Sequence, residues 1–258
     1  MDSLPQVTAD IVGCRACPRL VEWRETVARE RRAAFRDEEY WGRPVSGFGD
    51  PEAGLLLVGL APAAHGGNRT GRVFTGDRSG DWVFRALWKA GFANQPTSEH
   101  AGDGLRLTGA YVAAAVRCAP PANRPTPAER DTCLPYLARE LALLAGVRVV
   151  VALGQFAHDV VCPLLGARPR PRFGHLAEHP LSEGRTLLDS YHPSQQNTFT
   201  GKLTEPAFDA VFSRARDVLD RDGSGPRDSG PGTRSKGRSG PSTRSEGRSG
   251  PRERNGAR

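Results

Sequence analysis

The sequence has no apolar run close to the roughly 20 residues that cross a bilayer as a helix. The first residues, Met1 to Pro5, show no basic region followed by an apolar core, so we expect no secretion signal. Cysteines are few, at five. Without a secretion signal they indicate a reducing compartment, where metal binding or catalysis is commoner than disulfide formation. We therefore expect a cytoplasmic protein with no membrane attachment.

The carboxy-terminal segment, residues 222–258, has almost no large apolar side chain. It is rich in Gly, Ser, Pro and Arg, and the pentapeptide Gly-Arg-Ser-Gly-Pro occurs in it twice. Such a segment cannot bury enough apolar surface to offset the entropy lost on ordering, so we expect a disordered basic tail. The tail has nine basic and four acidic residues, and so carries five of the seven net positive charges. The high isoelectric point is therefore weak evidence about the folded part.

Four continuous apolar runs predict strands: Leu55–Leu60, Tyr111–Val116, Val147–Leu153 and Arg185–Tyr191. Continuous runs are typical of parallel strands that are covered on both faces. Helical patterns lie between or after the strands, at Asp81–Ala90, Pro127–Leu144, Gln155–Leu165 and Thr204–Leu219. A further, charged helix is predicted at Val21–Arg32. This alternation predicts one domain, residues 1–221, with a three-layer α/β/α sandwich and a central, mostly parallel four-stranded sheet.

Four cysteines are spaced as metal ligands. Cys14 and Cys17 form a Cys-x-x-Cys pair, Cys118 ends a predicted strand, and Cys133 lies in the second turn of a predicted helix. A zinc ribbon normally uses two Cys-x-x-Cys pairs, whereas thiolates spread over a loop, a strand end and a helix suit an iron–sulfur cluster. The residues alone do not separate zinc from iron, and four unligated thiols remain an alternative. Cys162, among apolar residues of a predicted helix, is expected to be a buried structural thiol.

The segment His192-Pro193-Ser194 follows a predicted strand directly. Crevices outside the carboxyl ends of parallel strands are where α/β sheets bind ligands. His192 is therefore a candidate catalytic residue, and a structural histidine is the alternative.

Three strings of residues, Gly59–Asp77, Arg117–Pro127 and Tyr191–Pro206, together with the cysteine spacing, resemble those of one family. Over about Val12 to Val218 the chain resembles the iron–sulfur uracil-DNA glycosylases, and among them family 5, the type B enzymes. The resemblance implies a structural 4Fe–4S cluster on the four spaced cysteines. It also implies base excision repair activity that removes uracil, and other deaminated bases such as hypoxanthine, and leaves an abasic site. We expect a monomer whose partner is DNA.

The resemblance also implies roles for individual residues. The target nucleotide must flip out of the duplex to be reached. His192 would then hydrogen-bond a uracil carbonyl, where negative charge develops. Phe74 would stack on the base unless it is a core residue, and Asn123 would orient the base or sugar unless it only shapes a turn. The chain leaves the first strand through small residues between Gly59 and Ala63, which would let backbone N–H groups approach the base. Within this stretch the expected base-binding residues are Gly59, Leu60 and Ala61.

The attacking water has no evident polar partner in the first string, because Ala61-Pro62-Ala63-Ala64 offers no polar side chain. Other branches of the superfamily place an acidic or amide residue there. Asp77 is the nearest carboxylate, and it either assists the water or caps a loop. His65 is a further candidate for the base pocket. A reaction in which the leaving group departs early would need little general base.

DNA backbone contacts are expected from polar and basic residues near the motifs: Asn68, Arg69, Ser194, Gln195, Asn197 and Lys202. Each of them is equally compatible with a solvated loop. The loop Gly174–Leu176 is expected to lie over a DNA groove, and the tail either adds salt-dependent affinity or is inert. Three other functions remain open: a type A enzyme restricted to uracil, an iron–sulfur lesion sensor that does not cut, and a zinc-stabilised binding module.

Overall fold

A computed structural model describes residues 2–223, with side chains through Arg221. The predicted disordered tail lies outside the described residues, except that the last helix runs two residues past the predicted domain boundary, to Gly223. Among residues 2–223, none of the helices combines the length and the apolar character that crossing a bilayer requires.

Helices and strands alternate along the described chain. The helices are α1 (Leu4–Gly13), α2 (Pro18–Glu30), α3 (Gly67–Thr70), α4 (Arg78–Lys89), α5 (Pro127–Leu143), α6 (Gln155–Leu164), α7 (Gln195–Phe199) and α8 (Glu205–Gly223). The strands are β1 (Phe48–Gly49), β2 (Leu55–Gly59), β3 (Ala110–Ala114), β4 (Val149–Leu153), β5 (Glu178–Pro180) and β6 (Thr186–Ser190). They form one sheet in the order β1-β3-β2-β4-β6-β5.

The sheet has six strands, not the four that we predicted. The four predicted strands are present as the parallel centre, β3-β2-β4-β6. Strands β1 and β5 pair antiparallel at the two edges. The prediction missed them because they are only two and three residues long and lack a fully buried apolar run.

The predicted three-layer sandwich is confirmed. Side chains of one strand alternate between two separate cores, because successive residues of a strand point to opposite faces. Leu55 and Leu57 of β2 pack in the core that also contains buried residues of α4 and α8, whereas Leu56 and Val58 pack in the core that contains buried residues of α5 and α6. Helices therefore cover both faces of the sheet.

Helix α2 is attached to the start of α5 by a shared carboxylate. Thr126 and Glu129 form a capping box at the amino end of α5, in which each side chain accepts a bond from the other residue's backbone N–H. Both carboxylate oxygens of Glu129 also accept bonds from the Arg19 guanidinium of α2, at 2.8 and 2.7 Å. This contact joins α2, which begins directly after Cys17, to α5, which contains Cys133.

Candidate active site

A cavity of about 560 Å³ lies where the chain leaves the carboxyl ends of the parallel strands. Its lining residues are Leu60, Ala61, Ala63, Phe74, Asp77, Arg78, Ser79, Asn123, His192, Ser194, Gln195 and Gln196. They follow β2, β3 and β6, whose carboxyl ends share one edge of the sheet because the strands are parallel. This is the position at which α/β sheets bind ligands.

Phe74 forms one wall of the cavity and is held tightly. Its ring lies directly over Gly59, since a Cβ built on Gly59 would be only 2.8 Å from the ring carbon Cε2. The backbone of Phe74 is equally confined, because its carbonyl carbon would be 2.7 Å from a Cβ built on Gly80. The Phe74 backbone has a φ of +52°, in the left-handed region that bulky residues rarely adopt. Such strain persists only where the surroundings enforce it, and it is common at functional sites.

His192 lies opposite this wall, with its ring centroid 6.1 Å from that of Phe74. The loop that carries it is fixed through its carbonyl oxygen, which accepts bonds from Nδ2 of Asn197 and from the backbone N–H of Ser194, both at 2.8 Å. Among the described residues, none makes a hydrogen bond to the imidazole nitrogens. Both nitrogens are therefore available to a ligand.

The surroundings of His192 keep its imidazole neutral. Burial disfavours the charged form and lowers the pKa of His192 to about 4. At physiological pH the ring is consequently uncharged, with one N–H to donate and one nitrogen to accept. The N–H of a neutral imidazole can donate a hydrogen bond to a ligand oxygen, and such a donor stabilises negative charge that develops on that oxygen.

Asp77 both caps a helix and lines the cavity. Its Oδ1 accepts a bond from the backbone N–H of Gly80 at 3.0 Å, which caps the amino end of α4. On its other side the carboxyl group packs against Gly66, where an added Cβ would be 2.8 Å from Cγ. Burial raises the pKa of Asp77, although the N–H groups of Gly80 and Ser79 oppose the shift. Capping and assisting the attacking water, the two roles predicted for Asp77, are thus compatible with one conformation of its side chain.

Asn123 stands at the rim of the cavity and is exposed. It ends a short 3₁₀ turn, Pro121–Asn123, in which Ala122 and Asn123 have φ values of +52° and +55°. Asparagine tolerates this left-handed conformation better than most residues. Asn123 therefore does both: it shapes the turn, and it lines the cavity.

The four spaced cysteines line a second, small cavity, between α2, the end of β3 and α5. None of the four forms a disulfide; Cys118 and Cys133 are buried, and Cys14 and Cys17 are half-buried. Burial raises the pKa of Cys118 to about 12, and it raises the pKa of Cys133 in the same direction. Arg24 is 2% exposed, and its Nη1 donates to the Cys118 sulfur at 3.1 Å. The site thus combines four converging thiols with a buried cation.

Sequence comparison agrees with this geometry. Residues 46–216 match the family model described as the uracil DNA glycosylase superfamily. A type-5 uracil-DNA glycosylase of Mycobacterium bovis is 55% identical over 217 residues, which cover 83% of this chain and 81% of the relative. The chain belongs to the type-5 uracil-DNA glycosylase family. A Thermus thermophilus type-5 enzyme is 54% identical over 207 residues, covering 80% of this chain and 94% of that enzyme. A type-4 enzyme of Pyrobaculum aerophilum is 30% identical over 131 residues, covering 50% of this chain and 59% of that enzyme.

Most of the predicted site residues line either the main cavity or the small cavity that contains the four cysteines. The main cavity brings together His192, Phe74, Asp77, Asn123, Leu60, Ala61, Ser194 and Gln195. Asn197 and Lys202 instead line an adjacent cavity of about 310 Å³ on the other side of His192. There, Nζ of Lys202 lies 4.6 Å from the ring centroid of Tyr191. In the Gly174–Leu176 loop, Leu176 is 43% exposed.

The structure does not support DNA contacts by Asn68 and Arg69. Asn68 is fully buried, and its Nδ2 donates to the carbonyl oxygen of Arg24 at 3.2 Å. Arg69 is 8% exposed, and it donates to the carbonyl oxygens of His65 and Gly76. The cause is the short helix α3, which turns both side chains inward, where they satisfy backbone carbonyls of neighbouring loops.

The prediction that His65 lines the base pocket is also not supported. Its Nδ1 lies 3.1 Å from the hydroxyl of Tyr40, and its ring packs edge-on against the Tyr40 ring. His65 is absent from the residues that line the main cavity. The contact with Tyr40 therefore holds the imidazole away from the main cavity.

Three residues that line the main cavity were not predicted: Arg78, Ser79 and Gln196. Arg78 and Ser79 open α4, immediately after its cap Asp77. The sequence contains the signal for this start, because Asp is a preferred helix N-cap. The predicted helix begins only at Asp81, so the prediction misses the first turn of α4.

Proposed function

We propose that this chain excises uracil from DNA by hydrolysing the N-glycosidic bond and leaves an abasic site. The observation that carries the proposal is that Phe74, His192, Asp77 and Asn123 surround one cavity at the carboxyl edge of the sheet. Type-5 relatives that are about half identical in sequence carry the name of this activity. The substrate is a nucleotide flipped out of the duplex, since a stacked base cannot reach such a cavity.

The flipped base binds between Phe74 and His192. The ring of Phe74 offers a flat apolar surface for stacking, which is tolerant of base identity. The neutral His192 donates its N–H to a carbonyl oxygen of the base. As the glycosidic bond breaks, negative charge accumulates on the departing base, and this donor then binds it more strongly. Removing one such donor typically costs about 10² to 10³ in rate.

Asp77 positions the attacking water. Its raised pKa makes the carboxylate a better proton acceptor than an exposed aspartate. The carboxyl group accepts the cap bond from Gly80 through Oδ1 and lines the cavity, where it would hold a water. The Asn123 amide orients the base or the sugar from the rim. Other deaminated bases, including hypoxanthine, are further substrates, because the small side chains of Ala61 and Ala63 leave room for a larger ring.

Contacts to the DNA backbone come from residues in and around α7, the short helix that follows β6: Ser194, Gln195, Asn197 and Lys202. The side chain of Gln195 is exposed, as is that of Lys202. Such groups fix the protein on phosphates without reading sequence.

The four spaced cysteines hold a 4Fe–4S cluster. The four thiols reach one small cavity from the loop before α2, from the segment after β3 and from α5. Thiolates that are spread over separate elements in this way suit a cluster of several iron atoms. The buried Nε atoms of Arg24 and Arg117 lack a partner within the described chain, and they suit a group that carries the negative charge of four thiolates. When bound, the cluster cross-links the loop before α2, the segment after β3, and α5.

A single-turnover assay on matched duplexes tests the proposal. One duplex contains uracil, one hypoxanthine and one thymine at the same position, and alkali cleavage reveals abasic sites. We expect release of uracil and hypoxanthine but not thymine. His192→Ala should lose at least about 100-fold in rate with unchanged DNA affinity and iron content, while His100→Ala, which alters an exposed histidine, should keep the wild-type rate. Iron-loaded protein that binds the uracil duplex but releases nothing would instead be a lesion sensor.

A further inference from the structure

A second group of chemically active side chains lies apart from both cavities. His158 of α6, His179 of β5 and Asp189 of β6 place one ligand atom each within 4.8 Å of the others. Nδ1 of His158 is 2.8 Å from Oδ1 of Asp189, and Nε2 of His179 is 3.1 Å from Oδ2. We refer to these three residues as the His-Asp-His cluster.

The carboxylate of this cluster needs a cation. Asp189 is fully buried in a strand whose neighbouring residues, Leu187 and Leu188, are apolar. Its ion pairs within the described chain are with the two histidines, and no lysine or arginine pairs with it there. A buried carboxylate without a positive partner is strongly disfavoured. Buried charges of this kind are paired with an opposite charge or coordinate a metal ion.

The orientation of His158 points to the same need. Its Nε2 lies 3.0 Å from the carbonyl oxygen of Pro171, which can only accept a hydrogen bond. A ring hydrogen on Nε2 satisfies this carbonyl oxygen, and Nδ1 then faces the Asp189 carboxylate, at 2.8 Å, as a ligand atom. A ring hydrogen donated to a backbone carbonyl is also how metal-binding histidines are commonly oriented.

We propose that the His-Asp-His cluster binds a zinc ion through Nδ1 of His158, Nε2 of His179 and the carboxylate of Asp189. Two imidazoles and one carboxylate are a donor set that zinc favours. The side chain of His179 is 17% exposed, which gives the ion a route from solvent and leaves a fourth position for water. Cys162 is not a ligand, because its sulfur faces Nε2 of His158, at 3.4 Å, and not Nδ1. The ion joins α6, β5 and β6 three residues before His192.

Metal content tests the proposal independently of glycosylase activity. The full chain is purified with its iron, treated with a chelator, titrated with zinc and analysed for both metals. Because free cysteines also bind zinc, wild type and variants are compared at equal iron content. We expect one tightly bound zinc per wild-type chain, and an affinity at least about 100-fold weaker in His179→Gln and Asp189→Asn. Cys162→Ala and His100→Gln should bind zinc as the wild type does.

His179→Gln is the deciding variant if Asp189→Asn fails to fold, because it changes a partly exposed residue on an edge strand. Zinc-soaked crystals should show anomalous scattering about 2.0 to 2.1 Å from both imidazole nitrogens. Wild-type zinc affinity in His179→Gln, or the lack of an anomalous peak at the cluster, would overturn the proposal. His158 and Asp189 would then form only a hydrogen bond within the fold.

Discussion

A single methyl group added at Gly59 tests whether the Phe74 ring controls base excision. In Gly59→Ala the new Cβ would be 2.8 Å from Cε2 of Phe74 and nearer still to Cζ. Carbon atoms normally approach no closer than about 3.5 Å, so the ring must move by about 1 Å. The ring lines the cavity, so moving it changes the surface on which we propose that the base stacks.

The size of the effect follows from this displacement. A misplacement of about 1 Å in a binding group costs about 10²-fold in rate, which corresponds to about 2.7 kcal/mol of transition-state stabilisation. Overpacking should also lower the free energy of unfolding by about 1 to 3 kcal/mol. We expect a single-turnover rate constant on the uracil duplex about 100-fold below that of the wild type, with iron content unchanged.

Two comparisons make the assay decisive. Gly102→Ala is the matched control, because its added Cβ would make only ordinary contacts with His100, at 3.7 and 3.9 Å. In a Phe74→Ala background no ring remains to be displaced, so Gly59→Ala should cost little more there. A wild-type rate for Gly59→Ala would refute the reasoning, and so would an equal loss in both backgrounds.

Three further predictions concern charge and metal. Burial raises the pKa of Asp77, and in the proposed mechanism its carboxylate form holds the water, so the excision rate should fall at acid pH values above the ordinary aspartate range, while His192 stays neutral until about pH 4. If the pH–rate profile of Asp77→Asn shows the same fall at acid pH, the fall belongs to another group. Cys17→Ser should lose iron and lower the melting temperature, and unchanged iron content would contradict its role as a ligand. Lys202→Gln should lower the slope of log affinity against log salt by about 1, measured by DNA titration at several salt concentrations; an unchanged slope would argue against a phosphate contact.

The centre of the fold could be predicted because its signal is local. Residues 55–59 and 149–153 are apolar throughout, since the helices bury both faces of these strands. The edge strand β5, Glu178–Pro180, contains two exposed residues and a proline, so its sequence resembles a loop. Its pairing depends on the neighbouring β6, which no short-range pattern reveals.

The candidate site was predicted best where motifs lie at strand ends, and worst where burial decided the role. Asn68 and Arg69 are polar and lie within the glycine-rich string Gly59–Asp77, which in sequence indicates an exposed loop. Only the fold shows that both side chains face inward. Arg24 looked like one charge on a surface helix, yet it contacts Cys118, 94 residues away. Such pairs depend on which elements pack together.

The glycines of the first string acquire a different meaning in three dimensions. In sequence, small residues after β2 favoured a backbone that approaches the base. In the structure, the missing side chain of Gly59 makes room for the Phe74 ring, and that of Gly66 makes room for the Asp77 carboxyl group. These glycines thus position two side chains of the cavity, so substituting them should impair excision as replacing Phe74 or Asp77 would. The backbone need not touch the base for the glycines to be required.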